Sequence, residues 1–502
     1  MTTREPRRHR RLPRHRTQWL LAVLLLVSAC QTDSGSPRPS PPPLATGHPS
    51  ASPIAAELSI SEDLRAAVEP EAIREHLDAL EAFAQGNGGI RAAGTRGYDE
   101  SVAYVADLLR EAGYEITLDE FTFPFFTETS PAELAITGGP TFIGADHLRA
   151  LIFSASGDIT APVVTVALDE NGATTGSAGC SATDWDDFPQ GAIALAGPGD
   201  CFTRQKVDQA ITAGAAALVV ANPNWPTGEV RRPTLLSPAG VTIPALGASA
   251  QVGEALHEAA AEGGSVRLSV QTLIEDRVTA NVIAERAGIG RADIATEVVM
   301  MGGHLDSVLD GPGINDNGSG TMAILEIARQ LAELEPTPRT VRFAFWSTEE
   351  LGLYGSRHWV ESQSRDELDR VAAYINLDMI ASPNYVRQVY DSSSAVAASR
   401  EITAAFGAYF DAVGLTWEAE DLGGGSDHAP FDDALIPTGG LFSGATERKT
   451  DDQADLFGGS ADEPMDRCFH LACDAVDQVN DRALDDLSDA AAHVLILLLR
   501  RP

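Results

Sequence analysis

The sequence is poor in basic residues for its length. Its 502 residues include 36 Lys and Arg against 72 Asp and Glu, which gives a formal net charge of −36 at pH 7. Proteins that bind nucleic acid neutralise phosphates with a basic surface, so this balance argues against a nucleic-acid partner. We interpret most of the acidic residues as solvated surface. The charge therefore excludes one class of function without indicating another.

Long apolar runs are also lacking outside the N-terminus. Seven arginines precede the apolar run at residues 19–27, which is typical of an export signal and too short to span a membrane. Residues 27–30 resemble the lipobox of bacterial lipoproteins, so we expect Cys30 to be lipidated after removal of the signal peptide. A secretory signal with an incidental cysteine is the alternative. We expect no second membrane segment, since residues 490–499 predict a buried terminal helix.

Cysteine is scarce, and the four that remain after Cys30 form an even set. An exported chain reaches an oxidising compartment, where disulfides are favoured over free thiols. Of the three possible connectivities, we expect Cys180 to pair with Cys201 and Cys468 with Cys473, because each pair lies in one segment. Zinc ligation by these thiols is the alternative, although no CxxC spacing is present.

Strand and helix patterns alternate along most of the chain. Apolar runs at residues 298–301, 340–346 and 371–377 predict buried parallel strands with helices between them. This alternation predicts an α/β fold with a mostly parallel, mixed sheet flanked by helices.

The segment from residue 131 to residue 274 has a different character. Short strands, Gly-rich turns and helical patterns at 202–214 and 251–261 predict a smaller inserted α/β domain. The alternating segments on either side, 114–125 and 277–285, are expected to rejoin in one sheet. The predicted organisation is a signal peptide (1–29), a Ser/Pro-rich tether (30–57), a main domain (58–130 and 275–502) and an insertion (131–274).

Side chains suited to metal binding follow three successive strands of the main sheet. His304 and Asp316 follow the first strand, Glu349 and Glu350 the second, and Asp378 the third. Parallel strands place their carboxyl ends at one edge of a sheet, so these groups are expected to converge. Carboxylates that cluster without compensating charge repel one another, and divalent cations remove that conflict.

A further imidazole would complete such a site. His470 lies between Cys468 and Cys473, and a disulfide between them would restrain the loop that presents it. Two His and three carboxylates can hold two zinc ions that share one bridging carboxylate. The sequence therefore predicts a two-metal hydrolytic site.

Six ordered motifs make this interpretation more specific. They are HLDS (304–307), GPGINDNGSG (311–320), FWSTEELG (345–352), NLDM (376–379), GSDHAPF (425–431) and CFHLACD (468–474). Together they resemble the M28 family of di-zinc aminopeptidases, and in particular bacterial lipoprotein aminopeptidases with an inserted protease-associated (PA) domain. The resemblance extends from about residue 58 to the end of the chain. The insertion resembles a PA domain at 179–180, 184–188 and 191–222.

The resemblance implies a role for each ligand. His304 and Asp378 would hold one zinc ion, Glu350 and His470 would hold the other, and Asp316 would bridge the two. It also implies a cis peptide bond after Asp316.

The catalytic base implied by the resemblance is Glu349, which would take a proton from the attacking water. We expect Glu349 and Glu350 to point to opposite sides, as neighbours on a strand do. Asp306 would form a hydrogen bond to His304 and fix its tautomer.

Two positions depart from the family pattern. Phe469 stands where secreted bacterial members have a Tyr that polarises the scissile carbonyl, and Gly425 stands where they have an Arg near the amine pocket. These departures concern substrate binding more than metal binding. We interpret Asp427 and His428 as structural residues of their loop.

The resulting hypothesis is an exported metallo-aminopeptidase, anchored by lipid to the outer face of the cell membrane, that hydrolyses N-terminal residues from peptides with two zinc ions. Its expected partners are peptide substrates and the membrane, with release into the medium as an alternative. A zinc carboxypeptidase or other amidohydrolase on the same scaffold is a second hypothesis, and a non-catalytic surface binding protein is a third. The complete set of five ligands and a base disfavours the third.

Overall fold

The computed structural model describes residues 53–199, 201–221, 230–391 and 396–501. The predicted signal peptide, Cys30 and most of the predicted tether lie outside these ranges. The prediction is wrong for the end of the tether, because residues 53–57 begin the first helix, where proline is compatible with the first turn. Within the described ranges, no helix is both long and apolar enough to cross a bilayer.

The described residues form strands and helices in the following order along the chain. The strands are β1 (Glu115–Ile136), β2 (Thr141–Ile143), β3 (Leu148–Ala150), β4 (Gly157–Val166), β5 (Ile193–Ala196), β6 (Ala217–Ala221), β7 (Ala245–Ala248), β8 (Ser265–Arg286), β9 (Val298–His304), β10 (Thr340–Trp346), β11 (Val371–Leu377), β12 (Gln388–Tyr390), β13 (Glu418–Glu420) and β14 (Thr438–Phe442). The helices are α1 (Pro53–Ala67), α2 (Pro70–Gly86), α3 (Arg96–Glu111), α4 (Thr203–Ala213), α5 (Ala250–Ala261), α6 (Ala292–Ala295), α7 (Gly320–Glu333), α8 (Tyr354–Ser362), α9 (Arg365–Leu368), α10 (Ser399–Val413), α11 (Ala429–Asp433), α12 (Asp451–Phe457) and α13 (Asp481–Arg500).

The centre of the main sheet is parallel. Strand β9 lies between β10 and β11 and is parallel to both, and β14 continues the parallel arrangement beyond β11. Two antiparallel contacts, between β12 and β14 and between β10 and β8, make the sheet mixed. The predicted fold class, a mostly parallel mixed sheet flanked by helices, is confirmed.

Strands β1 and β8 connect the main sheet to the insertion. They pair antiparallel over nearly their whole length, from Glu115 opposite Glu285 to Ile136 opposite Val266. The two predicted segments therefore do rejoin in one sheet, but both strands are longer than predicted. The boundaries predicted at 130/131 and 274/275 fall inside them.

The insertion has its own set of parallel strands. β4, β5, β6 and β7 are neighbours in that order, and β4 also pairs with β8, so the two sheets are continuous. The two predicted helices are present as α4 and α5. Helix α4 ends at Ala213 and is capped by Gly214, whose positive φ of 79° is readily adopted by glycine.

The main sheet is covered on both faces, as its side-chain alternation requires. Along β10, Phe343 and Phe345 belong to the core that contains residues of α2, α3, α7 and α13, whereas Trp346 belongs to a second core with Trp359 and Phe431. The buried terminal helix predicted from residues 490–499 is part of α13. Burial on both faces leaves the ends of the strands as the place where polar side chains can meet.

Candidate metal centre

The loops that follow β9, β10 and β11 meet at the carboxyl edge of the main sheet. His304 is the last residue of β9, Asp378 directly follows β11, and Asp316 lies in the kinked turn Ile314–Ser319 before α7, where its φ of −106° and ψ of 94° are not helical. The predicted cis peptide bond between Asp316 and Asn317 is present. His470 reaches the same place from the loop between Cys468 and Cys473.

Asp316 lies between two imidazoles. Its Oδ1 is 3.2 Å from His304 Nε2, and its Oδ2 is 3.1 Å from His470 Nε2. Asp378 Oδ1 is 3.5 Å from the same nitrogen of His304, and Glu350 Oε2 is 3.1 Å from that of His470. The structure thus brings together all five residues that the sequence singled out as ligands.

The donor atoms fit divalent cations. Donor atoms of His304, Asp316 and Glu350 lie within 4.8 Å of one another. Among the described residues, two buried carboxylate oxygens of the cluster, Glu350 Oε1 and Asp378 Oδ1, have no hydrogen bond. Buried carboxylate oxygens without donors are costly unless a cation satisfies them.

Glu349 and Glu350 do not lie on a strand. The prediction that strand alternation directs their side chains to opposite sides is therefore wrong. Strand β10 ends at Trp346, and Thr348 has a positive φ of 60° that turns the chain before both glutamates. Glu350 is buried beside His470, whereas Glu349 is half-buried. A turn, and not the alternation of a strand, sets the direction of the two side chains.

Asp306 connects the loops of β9 and β10. Its Oδ1 accepts a hydrogen bond from the backbone N–H of Glu349 at 3.1 Å and is 3.7 Å from His304 Nδ1. The closer partner of His304 Nδ1 is the backbone carbonyl of Asp306, at 3.2 Å. The backbone carbonyl therefore takes the contact that we expected of the side chain.

Burial and mutual repulsion shift the pKa values of the site. Burial raises the pKa of Glu349 well above its usual range, His304 opposes this, and the carboxylate of Glu350 adds to it. Burial also raises the pKa of Glu350, to about 7, and Asp316 acts in the same direction. Burial lowers the pKa of His470, but Glu350 and Asp316 outweigh it and raise that pKa to about 10. Protons and divalent cations therefore compete for the same atoms.

Three supporting residues were not found from the sequence. Arg91 is fully buried and donates hydrogen bonds to the carbonyls of Leu305 and Gly313, which lie on either side of the loop between His304 and Asp316. Asp474 accepts the backbone N–H of Asn315 at 2.7 Å and that of Asp316 at 3.1 Å. Ser426 donates a hydrogen bond to Asp378 Oδ2. Asp474 and Ser426 belong to motifs that could have indicated them, whereas Arg91 carries no such signal.

The loop of His470 is held by a disulfide and by aromatic stacking. The structure joins Cys468 to Cys473, and it joins Cys180 to Cys201 in the insertion. The Phe469 ring stacks on the His470 ring, with centroids 3.7 Å apart. Phe469 thus contributes packing where a tyrosine would add a hydroxyl.

Asp427 and His428 lie beside the centre. Asp427 is buried, and burial raises the pKa of its carboxyl to about 7. His428 packs edge-on against Tyr390, with ring centroids 4.9 Å apart. Gly425 is at the start of the same loop.

A carboxylate between two imidazoles, with two more carboxylates at the carboxyl edge of a parallel sheet, is the donor set of a metal-dependent hydrolase. The model of peptidase family M28 matches residues 281–495, and the PA domain model matches residues 159–256. The chain belongs to peptidase family M28 and is a hydrolase of the metallo-aminopeptidase class. The family and the PA insertion predicted from the motifs are confirmed.

Similar proteins support the same assignment over most of the chain. An aminopeptidase from Pseudomonas aeruginosa is 37% identical over 437 residues, which cover 84% of this chain and 79% of that protein. A probable lipoprotein aminopeptidase from Mycobacterium tuberculosis is 37% identical over 444 residues, which cover 86% of this chain and 85% of that protein. The solved structure of a zinc aminopeptidase from Bacillus subtilis shares the fold, with a TM-score of 0.67 and 24% identity. The match covers 86% of this chain and 96% of that chain.

Proposed function

We propose that this protein is a two-zinc aminopeptidase, exported and anchored by lipid, that removes N-terminal residues from peptides. The observation that carries the proposal is the position of Asp316, whose two oxygens lie 3.2 and 3.1 Å from two different imidazoles. One carboxylate directed at two sets of ligands is what a pair of ions with a shared ligand requires.

Each ion would have its own ligands. His304 and Asp378 would hold one, Glu350 and His470 the other, with Asp316 shared between them. Imidazole and carboxylate donors suit zinc, and the zinc aminopeptidase from Bacillus subtilis has the same fold. When bound, a pair of zinc ions supplies Lewis acidity, which lowers the pKa of a water molecule and polarises a peptide carbonyl.

Glu349 would move the proton. A carboxylate with a raised pKa beside the ligands can accept the proton of the attacking water and return it to the leaving amine. The hydrogen bond from its backbone N–H to Asp306 restrains the turn that presents it. Asp306 would thereby position both the base and the loop of His304.

The similarity to aminopeptidases supports a free amino terminus as the part of the substrate that enters. A carboxypeptidase would instead need a cation that binds the terminal carboxylate. Phe469 cannot donate a hydrogen bond to the scissile carbonyl. Polarisation of that carbonyl would then depend more on the ions than on the protein.

Export and anchoring rest on the N-terminal sequence. The basic segment, the apolar run at 19–27 and the Cys30 lipobox support them, and so does the similarity to a probable lipoprotein aminopeptidase. We propose residues 58–130 and 275–502 as the peptidase domain and 131–274 as the insertion, with β1 and β8 running across the two boundaries between them. Both family-model matches lie inside these ranges.

Replacing the proposed base tests the function directly. Glu349→Ala should lower kcat by about 10²- to 10⁴-fold, the range of general-base catalysis, while elemental analysis still finds two zinc ions per chain. Glu361→Ala, at an exposed glutamate of α8, is the matched control and should keep full activity. The assay compares peptides with free and with acetylated amino termini.

Each part of the proposal has an outcome that contradicts it. Retained turnover in Glu349→Ala would remove Glu349 from its role. Cleavage of acetylated peptides would contradict the aminopeptidase assignment, and a parent protein without zinc would contradict the metal centre.

A further inference from the structure

One short segment of the insertion contacts three of the four loops that carry metal ligands, namely the loops that follow β9 and β10 and the loop of His470. This segment, residues 230–237, lies between β6 and β7, and we name it the bracing segment. Thr234 Oγ1 donates to the carbonyl of Leu351, next to Glu350, at 3.1 Å. The Arg231 guanidinium lies over the Phe469 ring, 5.8 Å from its centroid, next to His470.

Contact with the loop after β10 is close. Tyr354 Oη donates to the carbonyl of Leu236 at 3.0 Å. Gly352 packs against the same residue so tightly that a Cβ there would lie 2.8 Å from the Leu236 oxygen. The bracing segment and the loop after β10 are therefore in close contact at Leu236 and Gly352.

The contact with the loop after β9 is ionic. Asp310, midway between His304 and Asp316, accepts two hydrogen bonds from Arg232, Nε to Oδ2 at 2.6 Å and Nη2 to Oδ1 at 2.7 Å. Arg149 of β3 donates to the same carboxylate. The side chains of Asp310 and Arg232 are each only 10% exposed. A two-pronged pair with little solvent fixes direction as well as distance, unlike an exposed pair.

The loop from His304 to Asp316 is therefore held from two sides. The peptidase supplies Arg91, which binds the carbonyls of Leu305 and Gly313. The insertion supplies Arg232 and Arg149, which bind the middle of the loop at Asp310.

We propose that the insertion is a working part of the metal centre: Asp310 and Arg232 are positioning residues, and through them the bracing segment holds His304 and Asp316 in place. This inference rests on the proposed two-zinc function. It gives the PA domain a role in metal retention and turnover at the site itself.

The test compares Asp310→Asn and Arg232→Lys with a matched control. Arg267 and Asp158 form a similar two-pronged pair within the insertion, at 2.9 and 2.7 Å, with side chains about half exposed. Asp158→Asn therefore removes the same kind of contact away from the ligand loops. The zinc affinity of the full-length apoprotein is measured by competition with a chelator, and kcat, KM and the melting temperature are measured on the same samples.

Asp310→Asn should weaken zinc binding and lower kcat by about 10- to 100-fold, the range for outer partners of metal ligands. Arg232→Lys, which keeps the charge but loses the two-pronged contact, should have a smaller effect of the same sign. The double variant should be no worse than Asp310→Asn, because the two residues act as one unit. Asp158→Asn should match the parent in zinc affinity and kcat.

A fall in melting temperature with unchanged zinc affinity in both variants would overturn the proposal, since the segment would then only dock the insertion. Should Asp310→Asn fail to fold, Arg232→Lys alone decides, through the same zinc measurement. A parent protein that binds no zinc contradicts the proposed function itself. Variants that match a zinc-binding parent contradict only the bracing.

Discussion

The molecule contains two sets of neighbouring parallel strands, and they end very differently. In the peptidase part, β10, β9, β11 and β14 are adjacent, and in the insertion β4, β5, β6 and β7 are adjacent. Strands β5 and β9 are both fully buried, so burial does not distinguish the two sets. Open α/β sheets place ligands beyond the carboxyl ends of their strands, yet the His–Asp–Glu group found in the described residues lies at the peptidase set.

The polar groups at the ends explain the difference. In the insertion, the carbonyl of Gly197 after β5 accepts a hydrogen bond from Lys206 Nζ at 2.6 Å, and Ser249 after β7 caps α5. These contacts serve the local fold. In the peptidase part, Glu350 and Asp378 keep oxygens without hydrogen bonds. The two sets of strands share an architecture, but within the described ranges only the peptidase set ends in carboxylate oxygens that lack hydrogen bonds and are free to bind a cation.

The largest effect is expected from the residue that links the two imidazoles. Asp316→Ala should abolish stoichiometric zinc binding and lower activity by more than the roughly 10- to 100-fold that loss of an outer partner costs. Elemental analysis and peptide turnover measure both. A variant that retains two zinc ions and parental activity would contradict the claim that the ends of the peptidase strands, and not those of the insertion, form a metal site.

The two disulfides sharpen the comparison because each lies in one part. Cys180 and Cys201 close a longer loop than Cys468 and Cys473, with sequence separations of 21 and 5. In the chain-entropy model a 15-residue loop contributes about 3 kcal/mol and a shorter loop contributes less. Replacing Cys180 and Cys201 by serine should therefore lower the free energy of unfolding more.

For zinc binding, replacing the Cys468–Cys473 disulfide should have the larger effect, because His470 lies inside that shorter loop. Replacing Cys468 and Cys473 by serine should weaken zinc affinity by about tenfold, near the lower end of the range for residues that orient ligands. Denaturant unfolding measures the loss of stability in each double variant, and chelator competition measures the loss of zinc affinity. If the variant without Cys180 and Cys201 shows the larger loss in both measurements, the shorter disulfide serves stability alone.

The smallest effect is expected at a strand end in the insertion. Ser249→Ala removes the side chain that accepts the backbone N–H of Val252 at the start of α5. Loss of such a cap costs about 1 kcal/mol of stability, and zinc content and kcat should stay at the parental level. Reduced zinc content in this variant would mean that the insertion strands are coupled to the centre more broadly than through the bracing segment.

The ligand cluster could be predicted because its logic is local in sequence. Each ligand loop directly follows an apolar strand, and parallel pairing brings the strand ends together whatever the details of packing. The turn at Thr348 was missed because a positive φ in a non-glycine residue has no clear signature in sequence. The direction of Glu349 and Glu350 could not be derived from strand geometry for that reason.

Contacts made by distant single residues could not be predicted. Arg91 is one arginine in a glycine-rich stretch, and Arg232 meets Asp310 only because the insertion folds back onto the peptidase. The predicted strand ends at Phe125, whereas β1 continues through Pro131 to Ile136, although proline is unfavourable in a strand. Register shifts on both sides of Ser130 accommodate it, and the pairing with β8 continues beyond them.

The long pairing of β1 with β8 limits how this enzyme can be shortened. A chain in which residue 130 is joined to residue 275 would cut both strands in the middle of their common ladder and leave unpaired backbone at the cut. Such a truncated chain should fold poorly because the β1–β8 ladder is interrupted, whatever the PA domain itself contributes to activity. A shortened chain that keeps its ladder would retain the whole two-stranded ribbon, closed by a short turn between Ile136 and Ser265, but it would lose the bracing segment and its contact with Asp310.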